Sequence, residues 1–202
     1  MTNLSIENSK QTALGSDLGN DANNRIESLL NSLTLAQKIG QLNLIPIEGK
    51  PTSEHHTLIA EGKVGSVLKS NGAAQNRALQ EIAVSNGQVP LLFQEDVIHG
   101  YKTITPVPLA EAASWDLDLI QSSAAVAARE AAASGIHLTY APMVDMSRDP
   151  RWGRILEGAG EDPFLGSLIA ERRVLGFQST NTLQTENVLA TVKHFAGYGA
   201  AL

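Results

Sequence analysis

The 202-residue sequence contains no cysteine, which excludes disulfide bonds, thiolate nucleophiles and zinc–thiolate sites. It also has no apolar run that approaches the roughly 18 residues a membrane-spanning helix needs. No Lys- or Arg-rich run occurs, and 15 basic against 21 acidic residues give a formal net charge of −6. Neither a nucleic acid partner nor a membrane span is therefore expected.

Several motifs of nucleotide, metal and hydrolase sites are also missing. No G-x-G-x-x-G follows a predicted strand and no G-x-x-x-x-G-K-[ST] occurs, so a nucleotide-binding site is not expected. H-x-H, H-E-x-x-H and G-x-S-x-G are absent, which argues against a histidine metal site and a serine hydrolase elbow. The sequence therefore predicts no metal site. The adjacent His55 and His56 lie among Pro, Thr, Ser and Glu and are predicted in a solvated loop.

The composition is that of a folded protein, with 43% hydrophobic and 18% charged residues. Residues 1–24 are instead rich in Asn, Ser and Thr and are predicted to form a mobile tail, with residues 25–202 as one compact unit. The start of the chain lacks the basic segment and the stretch of about 7–15 apolar residues of a secretory signal. The literal prediction from this absence is a cytoplasmic protein.

Helical and strand-like patterns alternate along the chain. Helices are predicted at 26–33, 73–85, 117–134 and 163–178, and a capping box at Thr34 predicts the start of a further short helix. Strand-like apolar runs cover 43–47, 64–68, 89–93, 136–144 and 188–192, of which about four are expected as core strands. This alternation predicts an α/β fold with a mostly parallel sheet, and the absence of a nucleotide motif favours a (β/α) barrel.

Charged residues follow three of the predicted strands. Asp96 comes after the run at 89–93, Asp145 after 136–144, and Lys193 and His194 after 188–192. Because the working residues of such barrels lie at the carboxyl ends of the strands, these side chains are expected at one rim. Carboxylate, ammonium and imidazole groups at one rim suit a ligand with many hydroxyl groups.

Three segments occur in a fixed order: EDVIHG at 95–100, SRDPRWGR at 147–154 and KHFAGYG at 193–199. Together they resemble glycoside hydrolase family 3, in particular the N-terminal barrel domain of bacterial, periplasmic-type β-glucosidases, over about residues 25–200. The resemblance implies retaining hydrolysis of a β-linked glucoside, in which an Asp attacks the anomeric carbon and a second acid protonates the leaving oxygen. It also implies that no cofactor is needed, since two carboxylates suffice for this reaction. His99 and Trp152 of these segments are interpreted mainly as scaffold.

The resemblance assigns four residues to sugar binding. Asp96 of the D-x-x-H-G segment is expected to hold sugar hydroxyls, and Arg154, the last Arg of R-D-P-R-W-G-R, to bond a ring hydroxyl. Lys193 and His194 of K-H-F are expected at the same subsite. The alternative for Arg154 is a structural ion pair with a neighbouring carboxylate such as Glu157.

No catalytic residue is expected within this chain. The resemblance implies that the nucleophilic Asp and the general acid lie downstream, and that the chain is about the first half of an eight-stranded barrel. Asp145 ends a strand, but the family pattern places the nucleophile elsewhere. We therefore expect an inactive, partial TIM-like barrel, whose open sheet edges favour homodimers or aggregation.

Other interpretations stay open. The chain could bind carbohydrate without catalysis, or belong to a family 3 β-xylosidase. The N-acetylhexosaminidase branch typically shows K-H-F-P-G-H-G, whereas this chain has Ala196 and Tyr198 in place of the Pro and the second His. A structural or interaction protein has no specific support in the sequence. Relatives of the β-glucosidase type are often periplasmic or secreted, which is the alternative to a cytoplasmic location.

Overall fold

A computed structural model describes residues 21–179 and 185–200 of the protein. Within them, one parallel sheet is formed by β1 (Leu44–Pro46), β2 (Ser66–Leu68), β3 (Leu92–Glu95), β4 (Leu138–Thr139) and β5 (Leu189–Ala190). Each strand pairs with the next one in the chain, in the order β1-β2-β3-β4-β5. This unbroken order is that of a (β/α) barrel, whereas a doubly wound sheet reverses its strand order. The predicted α/β class with a parallel, barrel-like sheet is confirmed, with five strands in place of about four.

Helices cover the connections between the strands. They are α1 (residues 21–32), α2 (Leu35–Gln41), α3 (Ser53–Ala60), α4 (Ala73–Ser85), α5 (Pro108–Ala112), α6 (Leu117–Ala133) and α7 (Pro163–Gln178), with short 3₁₀ helices at Ile155–Glu157 and Tyr198–Ala200. The predicted capping box is present, since Thr34 Oγ1 accepts from the Gln37 N–H at 3.2 Å. The carboxylates of Asp116 and Asp162 cap α6 and α7 in the same way. The helix starts read from these caps are confirmed.

The predicted strand boundaries are less accurate. The strand predicted at 89–93 begins only at Leu92, because Pro90 has no N–H to donate to a neighbouring strand. The strand predicted at 136–144 ends at Thr139, with Pro142 further along the same run. Pro90 thus accounts for the late start of β3, whereas β4 is short because only Leu138 and Thr139 pair with the strands on both sides.

Two other predictions need correction. His55 and His56 lie in α3, where Thr52 Oγ1 accepts from the His55 N–H at 3.3 Å and the Thr52 N–H donates to His55 Nδ1 at 3.1 Å. The predicted loop is wrong because this reciprocal capping starts a helix. Residues 21–24, predicted as part of the mobile tail, are helical. The rest of that predicted tail, residues 1–20, lies outside the described residues.

The core lies between the sheet and the helices packed on it. Val67, Phe93 and Ile136 are each no more than 2% exposed, and they pack with Leu79 of α4 and Phe177 of α7 in one cluster. Each fully buried aliphatic or aromatic side chain of this kind contributes about 1.5–3 kcal/mol to folding. This layer fixes the strands whose carboxyl ends carry the polar residues.

Apolar side chains also remain exposed near the outer strands. The predicted stripe on α1 is present, but its Ile26, Leu29 and Leu30 are 54%, 46% and 42% exposed, so no described residue buries it. Leu42 beside β1 is 87% exposed and Val192 beside β5 is 53% exposed. Among the described residues, β1 and β5 each pair on one side only. Association through these edges stays a prediction.

A buried ion pair ties the helices to the segment after β3. Arg173 of α7 is 4% exposed and Glu111 of α5 is 8% exposed. The Arg173 guanidinium donates to the Glu111 carboxylate and to the Ile98 carbonyl, two residues beyond Asp96. Burial lowers the pKa of Arg173 while the Glu111 charge opposes that change. Helix packing and the backbone near Asp96 therefore share one network.

Candidate functional site

Polar residues from three consecutive strands meet at the carboxyl edge of the sheet. Asp96 directly follows β3, and Asp145 and Lys193 lie beyond β4 and β5. A bridge between Met143 and Lys193 continues the β4–β5 pairing, and the Val144 N–H donates to the Lys193 carbonyl at 2.8 Å. The backbone thus places the segments of Asp145 and Lys193 side by side, as the parallel topology predicts.

Lys193 and Asp96 form an ion pair that reaches from the end of β5 to the end of β3. Lys193 Nζ lies 3.1 Å from each carboxylate oxygen of Asp96. The lysine side chain is only 11% exposed, whereas that of Asp96 is 42% exposed. Since a carboxylate offers about four lone-pair sites, Asp96 keeps acceptor capacity on its exposed side.

Tyr140 lies beside this pair. Its hydroxyl donates to Gln94 Oε1 of β3. Burial raises the pKa of Tyr140, and the negative charge of Asp96 adds to the effect. Because that pKa lies above its ordinary value of 10.0, the phenol stays protonated at neutral pH and remains a donor.

Arg154 is held by Glu157 through two hydrogen bonds. Arg154 Nε and Nη2 donate to Glu157 Oε1 and Oε2, each at 2.6 Å. Hydrogen bonding to Arg154 is the main cause that lowers the pKa of Glu157, and the nearby charge of Lys193 acts in the same direction. The structural ion pair considered for Arg154 is therefore present. Its remaining nitrogen, Nη1, faces His194 Nε2 at 3.4 Å.

His194 is held on its other side by Asp145. Its Nδ1 lies 2.7 Å from Asp145 Oδ2, and its backbone N–H donates to the same oxygen at 3.1 Å. The side chain of Asp145 is 3% exposed, against 34% for His194. The imidazole therefore lies between a buried carboxylate and a guanidinium.

Tyr198 packs on the same residues. Its ring meets His194 edge-on at 4.9 Å between centroids and Trp152 at 5.3 Å. The Arg154 guanidinium carbon lies 5.5 Å from the centre of the Tyr198 ring. Such aromatic pairs contribute about 0.5–1.5 kcal/mol beyond their buried area. Trp152 thus acts on the site through Tyr198, which agrees with its interpretation as scaffold.

The four residues predicted to bind sugar form two contacting pairs: Asp96 with Lys193, and Arg154 with His194. Their role in sugar binding stays a prediction. Sequence reasoning missed the contacts of Asp145 and Tyr198. Asp145 stood out only as an acid at a strand end, and its pairing with an imidazole 49 positions away has no local signal. His99 joins neither pair and contacts the Thr105 carbonyl at 3.3 Å.

A cleft of about 200 Å³ opens beside these pairs, lined in part by Asp145, Arg148 and His194. Across residues 21–179 and 185–200, no group of three or more His, Asp or Glu side chains is arranged to hold a metal ion. The helices of this same part of the chain include none with the length and hydropathy of a membrane span.

The barrel-like sheet with a polar rim at its carboxyl edge is an arrangement typical of (β/α)-barrel enzymes. The model of the glycosyl hydrolase family 3 N-terminal domain matches residues 34–202, and the chain belongs to this family. It is 40% identical over 178 residues to a periplasmic β-glucosidase of Salmonella typhimurium and 30% identical over 195 residues to a β-xylosidase of Formosa agariphila. These alignments cover 87% and 95% of this chain.

Solved structures support the same family assignment. A β-glucosidase from Listeria innocua, solved with glucose, superposes on 88% of this chain with a TM-score of 0.80 and 39% sequence identity. The present chain spans 27% of that structure and 23% of the Salmonella and Formosa proteins. It therefore corresponds to about a quarter of the length of these relatives.

Proposed function

We propose that this chain supplies the sugar-binding part of a retaining O-glycosyl hydrolase of the β-glucosidase type. The observation that carries the proposal is the set of contacting polar groups at one rim, Asp96 with Lys193 and Arg154 with His194. Membership of glycosyl hydrolase family 3 supports it, and so do the names of the Salmonella and Listeria relatives, both β-glucosidases.

The rim has the donors and acceptors that a sugar needs. Asp96 accepts hydrogen bonds from paired hydroxyls on its exposed side, while Lys193 and Arg154 donate to sugar oxygens. Lys193 is held by two contacts to Asp96, and Arg154 by two contacts to Glu157. Side chains fixed in this way lose little conformational freedom on binding, so contacts that strengthen in the oxocarbenium-like transition state contribute to rate as well as affinity.

The nucleophile and the general acid are proposed to come from outside residues 1–202. Asp145 ends a strand, as a nucleophile could, but its side chain is 3% exposed and its Oδ2 has two hydrogen bonds with His194. Asp96 is engaged through both oxygens by Lys193. These contacts argue against covalent catalysis by either carboxylate, and the exposed side of Asp96 supports sugar binding for that residue.

A β-glucoside is the proposed substrate, with a β-xyloside as the alternative. The identity to the Salmonella β-glucosidase is 40%, against 30% to the Formosa β-xylosidase. Glucose and xylose differ by one hydroxymethyl group, so a single contact decides between them. A periplasmic location is proposed over the cytoplasmic expectation, because relatives from Salmonella and Dickeya chrysanthemi carry that word in their names.

The test combines binding and turnover with purified residues 1–202. Titration calorimetry with D-glucose and release of nitrophenol from an aryl β-glucoside are measured for the wild type, Lys193→Ala and Lys63→Ala. Lys63 is the matched control, because it lies before β2, is 58% exposed and pairs with Glu61 away from the rim. We expect glucose binding without turnover, weakened at least about tenfold by Lys193→Ala, since a lost charged hydrogen bond costs about 1.5–3 kcal/mol.

Two outcomes would overturn the proposal. Equal glucose binding by the wild type and Lys193→Ala would remove Lys193 from the sugar site, and no binding at all would defeat the proposal that this chain supplies the sugar-binding part. Turnover by the wild type that Lys193→Ala abolishes would mean that a carboxylate of this chain is the nucleophile, and Asp145 and Asp96 would be the first to replace. Binding without turnover also fits a non-catalytic carbohydrate-binding protein; turnover by a longer protein that contains this sequence would separate the two.

A further inference from the structure

Asp145 has no role in the function proposed above, yet it is the least exposed of the paired rim groups. Its side chain is 3% exposed, against 11% for Lys193 and 42% for Asp96. Burying a carboxylate costs free energy unless it is well hydrogen-bonded. Its Oδ2 has two partners, and both belong to His194: the ring Nδ1 at 2.7 Å and the backbone N–H at 3.1 Å.

The contacts on the two sides of the ring specify its tautomer. An ionised carboxylate only accepts hydrogen bonds, so Nδ1 of His194 must carry the proton that Asp145 receives. On the other side, Nε2 faces Arg154 Nη1 at 3.4 Å, and a guanidinium only donates. A lone pair on Nε2 can accept a hydrogen bond from Arg154, whereas an N–H at Nε2 would place two donors against each other.

The remaining neighbours hold the ring rather than change its protons. Tyr198 meets the imidazole edge-on at 4.9 Å, and Glu157 neutralises the guanidinium of Arg154 through two bonds of 2.6 Å. Lys193 precedes His194 in the chain and directs its ammonium group to Asp96. The hydrogen bonds to the ring atoms of His194 thus come from Asp145 and Arg154.

We propose that Asp145 is a positioning residue: it holds His194 as the Nδ1–H tautomer, so that Nε2 accepts from Arg154 Nη1 and orients that guanidinium toward a ligand hydroxyl. The tautomer follows from contacts within the protein, and only the role toward a ligand hydroxyl rests on the proposed function. Asp145 acts through His194 and does not itself touch the sugar. A hydrogen bond from one ring nitrogen to a carboxylate is a general way in which proteins fix the tautomer of a functional histidine.

The test reads the tautomer directly, in long-range proton–nitrogen correlation spectra of the histidine side chains of isotope-labelled residues 1–202. His194→Gln assigns the His194 signals among those of the five histidines. We expect Nδ1 protonated and Nε2 with a lone pair in the wild type, and loss of this preference in Asp145→Asn. Asp149→Asn is the matched control, since Asp149 lies on the same segment but pairs with Arg151.

The outcomes separate this inference from the proposed function. A wild-type His194 protonated on Nε2, or an unchanged tautomer in Asp145→Asn, overturns the positioning role whether or not glucose binds. The wild-type spectrum alone decides the tautomer if Asp145→Asn does not fold. In calorimetry with D-glucose, Asp145→Asn is expected to weaken binding about tenfold relative to Asp149→Asn. Failure of the wild type to bind glucose would defeat the proposed function and the ligand clause, while the tautomer result would stand.

Discussion

The contact between α6 and α7 depends on one glycine, and alanine at this position should destabilise the protein. A Cβ added to Gly176 of α7 would lie 2.5 Å from the Gln121 carbonyl oxygen and 2.6 Å from the Ala124 Cβ on α6. Carbon atoms pack at about 3.5–4.0 Å, so the two helices would have to separate by about 1 Å at this point. Both helices pack on the sheet that carries the rim.

The magnitude follows from a matched substitution on the same helix. Gly166→Ala on α7 adds a Cβ that meets no atom within 4 Å. Both substitutions gain helix propensity, worth up to about 1 kcal/mol each. Only Gly176→Ala adds the cost of overpacking, about 1–3 kcal/mol. The difference between the two variants therefore isolates the steric cost of the α6–α7 contact.

Urea unfolding followed by circular dichroism measures this difference, with all proteins at one concentration. Taking a denaturant slope of about 2 kcal/mol per molar urea, the midpoint of Gly176→Ala should lie about 0.5–1.5 M below that of Gly166→Ala. The Gly166→Ala midpoint should equal or exceed that of the wild type. Equal midpoints for the two variants would refute the close approach of α6 and α7.

Two further substitutions test the ion pairs. Arg173→Met leaves the Glu111 carboxylate buried without its partner, and should cost about 3–5 kcal/mol in urea unfolding, whereas the double variant Arg173→Met/Glu111→Leu should recover much of that loss. No recovery would contradict the buried pair. Glu157 has a pKa lowered from 4.5 in the folded protein, so its contribution is present above pH 4.5 and is lost as the pH falls through the folded value. Glu157→Gln should therefore lower the urea midpoint at pH 7 and approach the wild type in acid; a constant gap would contradict this assignment.

Local chemistry explains which parts of the fold could be predicted from the sequence. Helix starts at Thr34, Asp116 and Asp162 were predictable because a capping side chain bonds to an N–H two or three residues away. Strand limits were not, because a strand ends where its neighbour stops pairing. The short β4 and the late start of β3 result from pairing across the sheet and from Pro90, which apolar periodicity does not register.

The sequence predicts that polar residues meet at the rim, but not how most of them pair. Parallel strands bring their carboxyl ends to one edge, so Asp96, Lys193 and His194 could be expected together. Which side chain pairs with which could not be deduced. Lys193 reaches past β4 to a partner 97 positions away, and the contact between Asp145 and His194 spans 49 positions.

The charge balance of the rim favours a neutral ligand. Two of its carboxylates, Asp96 and Glu157, are each paired with a permanent cation, Lys193 and Arg154, and Asp145 is paired with His194. An anionic sugar would gain attraction from the cations only by repelling the carboxylates that already hold them. A neutral polyhydroxyl ligand needs no such exchange, because each hydroxyl both donates and accepts. The pairing that fixes the side chains therefore also disfavours a charged ligand, as expected if the proposed ligand, an unmodified glucoside, binds here.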